Sequence, residues 1–216
     1  YGIILPPFFF TFINTFSPKG YFYSALIIIF INTLIYFLDD IINLRPLIRI
    51  LLQATTGLSL FYIFLEKFSG LFSFNIIILI LILIVSFTLI LANALNFYDG
   101  ADLNLCLIIL MSGLILLFSD NYFNENIKYL GSVLVSFSIG FGILNSRPEK
   151  IYLGDSGSFS IASILIFIFL INIFEFKYFP KEFLFLLALP LFDVFYVLLI
   201  RIFKKHNLLS RNYLHL

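Results

Sequence analysis

Long apolar runs separated by short polar interruptions dominate the chain. Eight such runs occur, at about 3–16, 21–38, 47–65, 72–95, 103–118, 127–144, 159–174 and 183–203; the first is partial and contains Pro6-Pro7. Most approach the roughly 20 apolar residues that a helix needs to cross a bilayer. They are apolar on every face and lack the alternation of a barrel strand. In hydrocarbon each backbone N–H and C=O must be satisfied within the protein, so runs of this kind become helices. The pattern predicts an all-α integral membrane protein, a polytopic transmembrane helix bundle built as a single domain over residues 1–216. The chain opens on Tyr1 and stops at Leu214-His215-Leu216, and it is expected to be a piece of a longer protein, truncated at both ends.

The polar interruptions sort into two sets. If every run spans, the stretches 17–20, 66–70, 119–126 and 175–181 lie on one side, and 39–46, 96–102, 145–158 and the tail after Phe203 on the other. The second set carries eight basic residues (Arg45, Arg49, Arg147, Lys150, Arg201, Lys204, Lys205 and Arg211) against five in or near the first. Basic residues favour the cytoplasmic side, so the second set is expected to face the cytoplasm. The same set holds Asp39, Asp40, Asp99, Asp102 and Asp155. The first set reads as short solvated turns such as Glu66-Lys67.

Composition agrees. The chain is 62% hydrophobic and 12% charged, where a soluble domain carries about 25% charged residues. Its mean hydropathy is +1.09. A net charge of +1 offers nothing to a nucleic acid. Cys106 is the single cysteine, which excludes an internal disulfide and a Cys-rich metal site.

Four constellations carry candidate chemistry. In Asn96-Phe-Tyr-Asp99-Gly100-Ala-Asp102 the two aspartates are three apart, and no Lys or Arg occurs between Lys67 and Lys128. Such carboxylates need a cation from elsewhere, and a hard divalent ion with oxygen ligands fits, as does hydration of a helix end. In Asn145-Ser-Arg147-Pro148…Tyr152-Leu-Gly154-Asp155-Ser156-Gly157-Ser158, the glycines permit close backbone approach before a helix expected from about Phe159. Its first N–H groups suit a phosphate, with Asp155 beside a metal; a loop with Ser158 as N-cap is the plainer alternative. Gly154-Asp155-Ser156-Gly157 is not a protease nucleophile site, because both histidines, His206 and His215, lie in the tail. Leu38-Asp39-Asp40 ends a span, with Arg45 and Arg49 following. Carboxylates at a helix C-terminus oppose the dipole, so this pair is either functional or neutralised by Arg45 or Arg49. Asp193, inside the last run and near Pro190, is a candidate by its position.

Taken together, from about Tyr21 onward, these motifs resemble the polyprenyl-phosphate N-acetylhexosamine-1-phosphate transferases of glycosyl transferase family four. The resemblance rests on the Asp39-Asp40 pair, on Asn96, Asp99, Gly100 and Asp102, and on Asn145, Pro148 and Gly154 to Ser158. It implies an Mg²⁺-dependent phosphoglycosyl transferase, with Mn²⁺ as the alternative ion, in a bacterial inner (plasma) membrane and with its site facing the cytoplasm. Its partners would be a UDP-N-acetylhexosamine, undecaprenyl phosphate and the lipid bilayer, with UMP released as the first membrane step of a cell-envelope glycan.

By the same resemblance Asp155 and Asp102 hold the metal. Asp39 and Asp40 activate the lipid phosphate, and Asp99 and Asp102 lie near metal and nucleotide. Asn145 and Tyr152 approach the uracil, while Asn96, Arg49, Arg211 and His215 complete the substrate-binding set. The chain departs from the family pattern at Leu103, where Gly is usual, and in the tail, where Tyr213 and Leu216 stand at common His positions. The short link from Asp40 to Arg49 and the thin His cluster favour the amino-sugar branch over the muramoyl-pentapeptide branch. The rival readings are a polytopic transporter or channel, which needs charges in mid-helix, and a non-catalytic paralogue.

Overall fold

The computed structural model describes residues 20–42, 44–100, 103–118, 125–148, 151–174 and 181–204. Within them the chain forms eight helices: α1 Gly20–Ile42, α2 Pro46–Ile63, α3 Leu65–Leu71, α4 Phe74–Asp99, α5 Asn104–Phe118, α6 Glu125–Asn145, α7 Gly154–Phe174 and α8 Lys181–Phe203. Six of them (α1, α2, α4, α6, α7 and α8) are long and apolar enough to cross a membrane. The all-α, multi-pass architecture expected from the hydrophobic pattern is the one found.

The helix ends differ from the sequence reading in ways that matter. The first span continues through Asp39 and Asp40 to Ile42. α4 runs 26 residues and includes Asn96 and Asp99, where the polar pattern predicts a loop. At about 39 Å it outruns a hydrocarbon core of about 30 Å, so its polar end projects from the apolar layer. α7 begins at Gly154 and not near Phe159. Ser158 is therefore no N-cap; its hydroxyl donates to the Gly154 carbonyl inside the helix (2.8 Å). The stretch 66–70, read as a turn, lies within the short helix α3, because buried Phe64 and Phe68 draw it onto the bundle. Phe68 stacks on Phe61 and meets Phe174 edge-on.

α7 occupies the centre. It packs between α1 and α4, while α2 lies against α1 and α4, and α8 against α4 and α5. α7 is buried over most of its length, whereas each other span is buried over about a third or less. Its sequence explains the position. Ser156, Ser158, Ser160, Ser163 and Asn172 are all buried polar residues, and lipid offers them no partner. Ser163 and Asn172 return bonds to carbonyls four residues back, and Ser160 meets Thr33 of α1 at 2.6 Å. α5 and α6 form a closely packed pair, where a β-carbon on Gly113 would lie 2.8 Å from the Gly131 carbonyl oxygen, and the converse holds for Gly131.

Candidate active site

The mouth of the bundle gathers side chains from the end of α1, the start of α2, the end of α4 and the start of α7. The junctions 39–46, 96–104 and 145–154 thus meet at one end of the molecule, as the sorting of polar interruptions predicts.

At the end of α1, Asp39 is completely buried. Its Oδ1 accepts the Leu44 N–H at 2.7 Å, which fixes the turn into α2. Its Oδ2 lies 2.8 Å from Arg49 Nε. Neither of those two atoms makes a directed hydrogen bond among the described residues, so charge alone holds this contact. The Arg49 Nη1 lies 2.7 Å from Asp155 Oδ2. One guanidinium thus joins two carboxylates that stand 116 positions apart in the chain. Of the Asp39-Asp40 pair, Arg49, half-buried, reaches Asp39 alone.

Asp40 is exposed, and both its oxygens turn to α7. Oδ1 accepts the Asp155 N–H (3.0 Å) and Oδ2 the Ser156 N–H (3.1 Å). Asp99, buried at the end of α4, accepts the Gly154 N–H at 2.9 Å. The N–H groups at the start of α7, read from sequence as a phosphate cradle, are therefore taken by the protein's own carboxylates. The dipole cost of Asp40 at the end of α1 is offset at the positive end of α7. Gly154 makes this approach feasible. Its φ is +73°, and an added β-carbon would lie 3.1 Å from Asp40 Oδ2.

Asp155 Oδ1 accepts the Asn96 amide at 2.7 Å. Asn96 in turn accepts from the Ser158 hydroxyl at 3.1 Å. One turn earlier on α4, Asn93 donates to Gln53 of α2 at 2.7 Å. Sequence reasoning did not assign Ser158, Gln53 or Asn93 to the site. The three-residue spacing of Asn93 and Asn96, one face of a helix, is the signal that finds one of them.

Asn145 is buried and engaged at both ends of its amide. It donates to the Ile151 carbonyl (2.9 Å) and accepts the Leu103 N–H (2.8 Å). It thereby pins three segments together, and Tyr152 follows directly as an exposed ring at the mouth. Leu103 has φ +59°, the left-handed region that favours glycine. Asp193 lies in α8, within electrostatic reach of Tyr98. Asp102, Arg211 and His215 lie outside the described residues.

Carboxylates from three helices, one arginine and a helix start thus stand together at one end of a membrane bundle. The sequence profile described as Glycosyl transferase family 4 matches residues 22–173. The chain belongs to glycosyl transferase family 4. The family 4 match runs from α1 to the end of α7 and includes Asp39, Asp40, Arg49, Asn96, Asp99 and Asp155. Phospho-N-acetylmuramoyl-pentapeptide-transferase of Streptococcus uberis is similar, 25% identical over 172 residues, covering 69% of this chain and 49% of the relative. The chain thus spans about half the length of that curated relative. No solved structure matches it. At Leu103, where the resemblance expects glycine, the backbone adopts a glycine-like conformation.

Proposed function

We propose that the protein transfers an N-acetylhexosamine 1-phosphate from a UDP-sugar to undecaprenyl phosphate and releases UMP, at the cytoplasmic face of a bacterial plasma membrane. The observation that carries this reading is the meeting of Asp39 and Asp155 on Arg49, with Asp40 and Asp99 on the first N–H groups of α7 beside them, in a family 4 chain. The carboxylates sit at helix ends, which favours catalysis at an interface over an ion path through mid-helix.

The donor set suits Mg²⁺. This ion takes one or two carboxylates and leaves its other positions to water and substrate phosphates. Asp39 and Asp155 already converge on one positive centre, the Arg49 guanidinium. No group of three or more His, Cys, Asp or Glu side chains that would make an all-protein cage occurs among the described residues. Asp155, with Asp102 as second ligand, would hold the ion, which when bound neutralises the diphosphate's charge.

The chain's own residues do the positioning. Asn96 orients Asp155 through its amide. Asn145, itself buried, sets the 151–153 segment through the Ile151 carbonyl, so that the exposed Tyr152 ring meets the uracil. Both carboxylates are hydrogen-bonded within the protein, but Asp39 is sealed and Asp40 exposed, so Asp40 is the member of the pair that the lipid phosphate can reach. Arg49, with Arg211 and His215, would bind phosphate oxygens. The lipid phosphate oxygen forms a bond to the sugar-side phosphorus of the donor, and the bond from that phosphorus to the UMP oxygen breaks.

The test is release of radiolabelled UMP from UDP-N-acetylglucosamine in membranes supplied with undecaprenyl phosphate, with and without EDTA. EDTA-sensitive release dependent on the lipid is expected. Absence of release with that donor, together with metal-independent solute flux, overturns the reading in favour of a transporter. The similarity to the Streptococcus uberis protein favours a second reading, with UDP-N-acetylmuramoyl-pentapeptide as donor, and the same assay with that donor separates the two.

A further inference from the structure

We propose that Arg49 is the counter-ion of Asp155, and that it must release this carboxylate before a divalent cation takes it up. The inference rests on the reading of Asp155 as the metal ligand.

Four carboxylates crowd this mouth, and they are not held alike. Asp40 and Asp99 are neutralised by backbone N–H groups at the start of α7. Asp39 and Asp155 share one guanidinium, with Nε at 2.8 Å from Asp39 and Nη1 at 2.7 Å from Asp155. The Asp39 side is anchored: that carboxylate is fully buried and also fixed by the Leu44 N–H. The Asp155 side is the more open, with 13% of its side chain exposed and its other oxygen held by Asn96. The arginine therefore has a fixed end and a releasable end. Asp155 Oδ2 accepts either Nη1 or a metal ion, since two cations cannot share that position without strong repulsion.

Once displaced, the guanidinium keeps Asp39 and presents its freed N–H groups to the mouth of the bundle. A diphosphate arriving with the cation supplies their new acceptor. Cation and nucleotide are thus expected to bind cooperatively, because the nucleotide compensates the ion pair that the cation breaks. Arg49 is in this sense a positioning residue that sets when the carboxylate becomes available.

The experiment titrates Mn²⁺ alone into the full chain in nanodiscs and reads free Mn²⁺ by electron paramagnetic resonance, then repeats the titration with UDP present. Arg49→Gln is expected to bind Mn²⁺ at least about fivefold tighter than the unaltered protein. The gain in affinity that UDP gives the unaltered protein is expected to shrink in the variant. Arg49→Lys keeps the charge but loses the fork spanning both carboxylates, and is likewise expected to bind Mn²⁺ tighter, which decides the matter should Arg49→Gln not fold. Asp155→Asn is expected to lose the ion in every background. Mn²⁺ affinity unchanged or weaker in the folded arginine variants, or retained in Asp155→Asn, overturns the proposal. Sugar-phosphate transfer is not read, so a protein that behaves as expected here yet transfers nothing would sink the functional reading and leave this one standing.

Discussion

Single residues at the mouth separate into those proposed to touch ligands and those that hold the scaffold. Asp155 is the test of the first kind. Asp155→Asn keeps the shape and leaves Arg49 paired with Asp39, so the fold should survive. Turnover in the UMP-release assay should fall at least about 100-fold, with the unfolding temperature lowered by only a few degrees. Near-normal turnover would remove Asp155 from the metal. Leu103 tests the second kind. A left-handed conformation costs a non-glycine residue about 1–2 kcal/mol, and Leu103 is kept there by its N–H bond to Asn145. Leu103→Gly should stabilise the protein by about 0.5–1 kcal/mol, seen as a raised unfolding temperature at unchanged activity. A lowered temperature would mean that packing of the leucine side chain outweighs the backbone strain. The unusual Leu103 was legible in the sequence as a departure from a motif, but its φ was not, because a single position carries no record of the bonds that constrain it.

Among the elements, the spans were legible because hydrocarbon leaves an apolar run few alternatives to helix. Their ends were harder. Asn96 and Asp99 are polar and read as loop, yet α4 carries them as helix because the start of α7 supplies partners. Gly154 reads as a turn, yet it begins a helix because carboxylates from α1 and α4 satisfy its first N–H groups. These partners lie 55 to 116 positions away, beyond the reach of any local pattern. α3 was missed because Glu66-Lys67 masks Phe64 and Phe68, whose burial is a tertiary fact. The pairing of α5 with α6 makes its own prediction. Gly113→Val places a β-carbon against the Gly131 backbone and should destabilise the protein by roughly 1–3 kcal/mol, measured by thermal unfolding in detergent. An unchanged unfolding temperature would show that the two helices part without cost.

At the scale of the whole molecule, the gathering of chemistry at one end was the most legible feature, since alternating spans return every second junction to the same side. Which leaflet that end faces is expected from eight basic residues against five. Tyr152 is exposed at the mouth and Phe72 is exposed at the junction of α3 and α4. Cys106 is buried against Ser138 and should stay silent to thiol reagents. A membrane-impermeant maleimide should therefore label Tyr152→Cys in inverted vesicles and Phe72→Cys in right-side-out cells. The reverse pattern would turn the molecule over. The seclusion of α7 bears on how the protein answers its bilayer. A helix that barely meets acyl chains takes its depth from its protein neighbours, so thinner or thicker bilayers tilt the peripheral helices first. The Asp155 end of α7 would then stay level with the headgroups while the rim of the bundle adjusts around it.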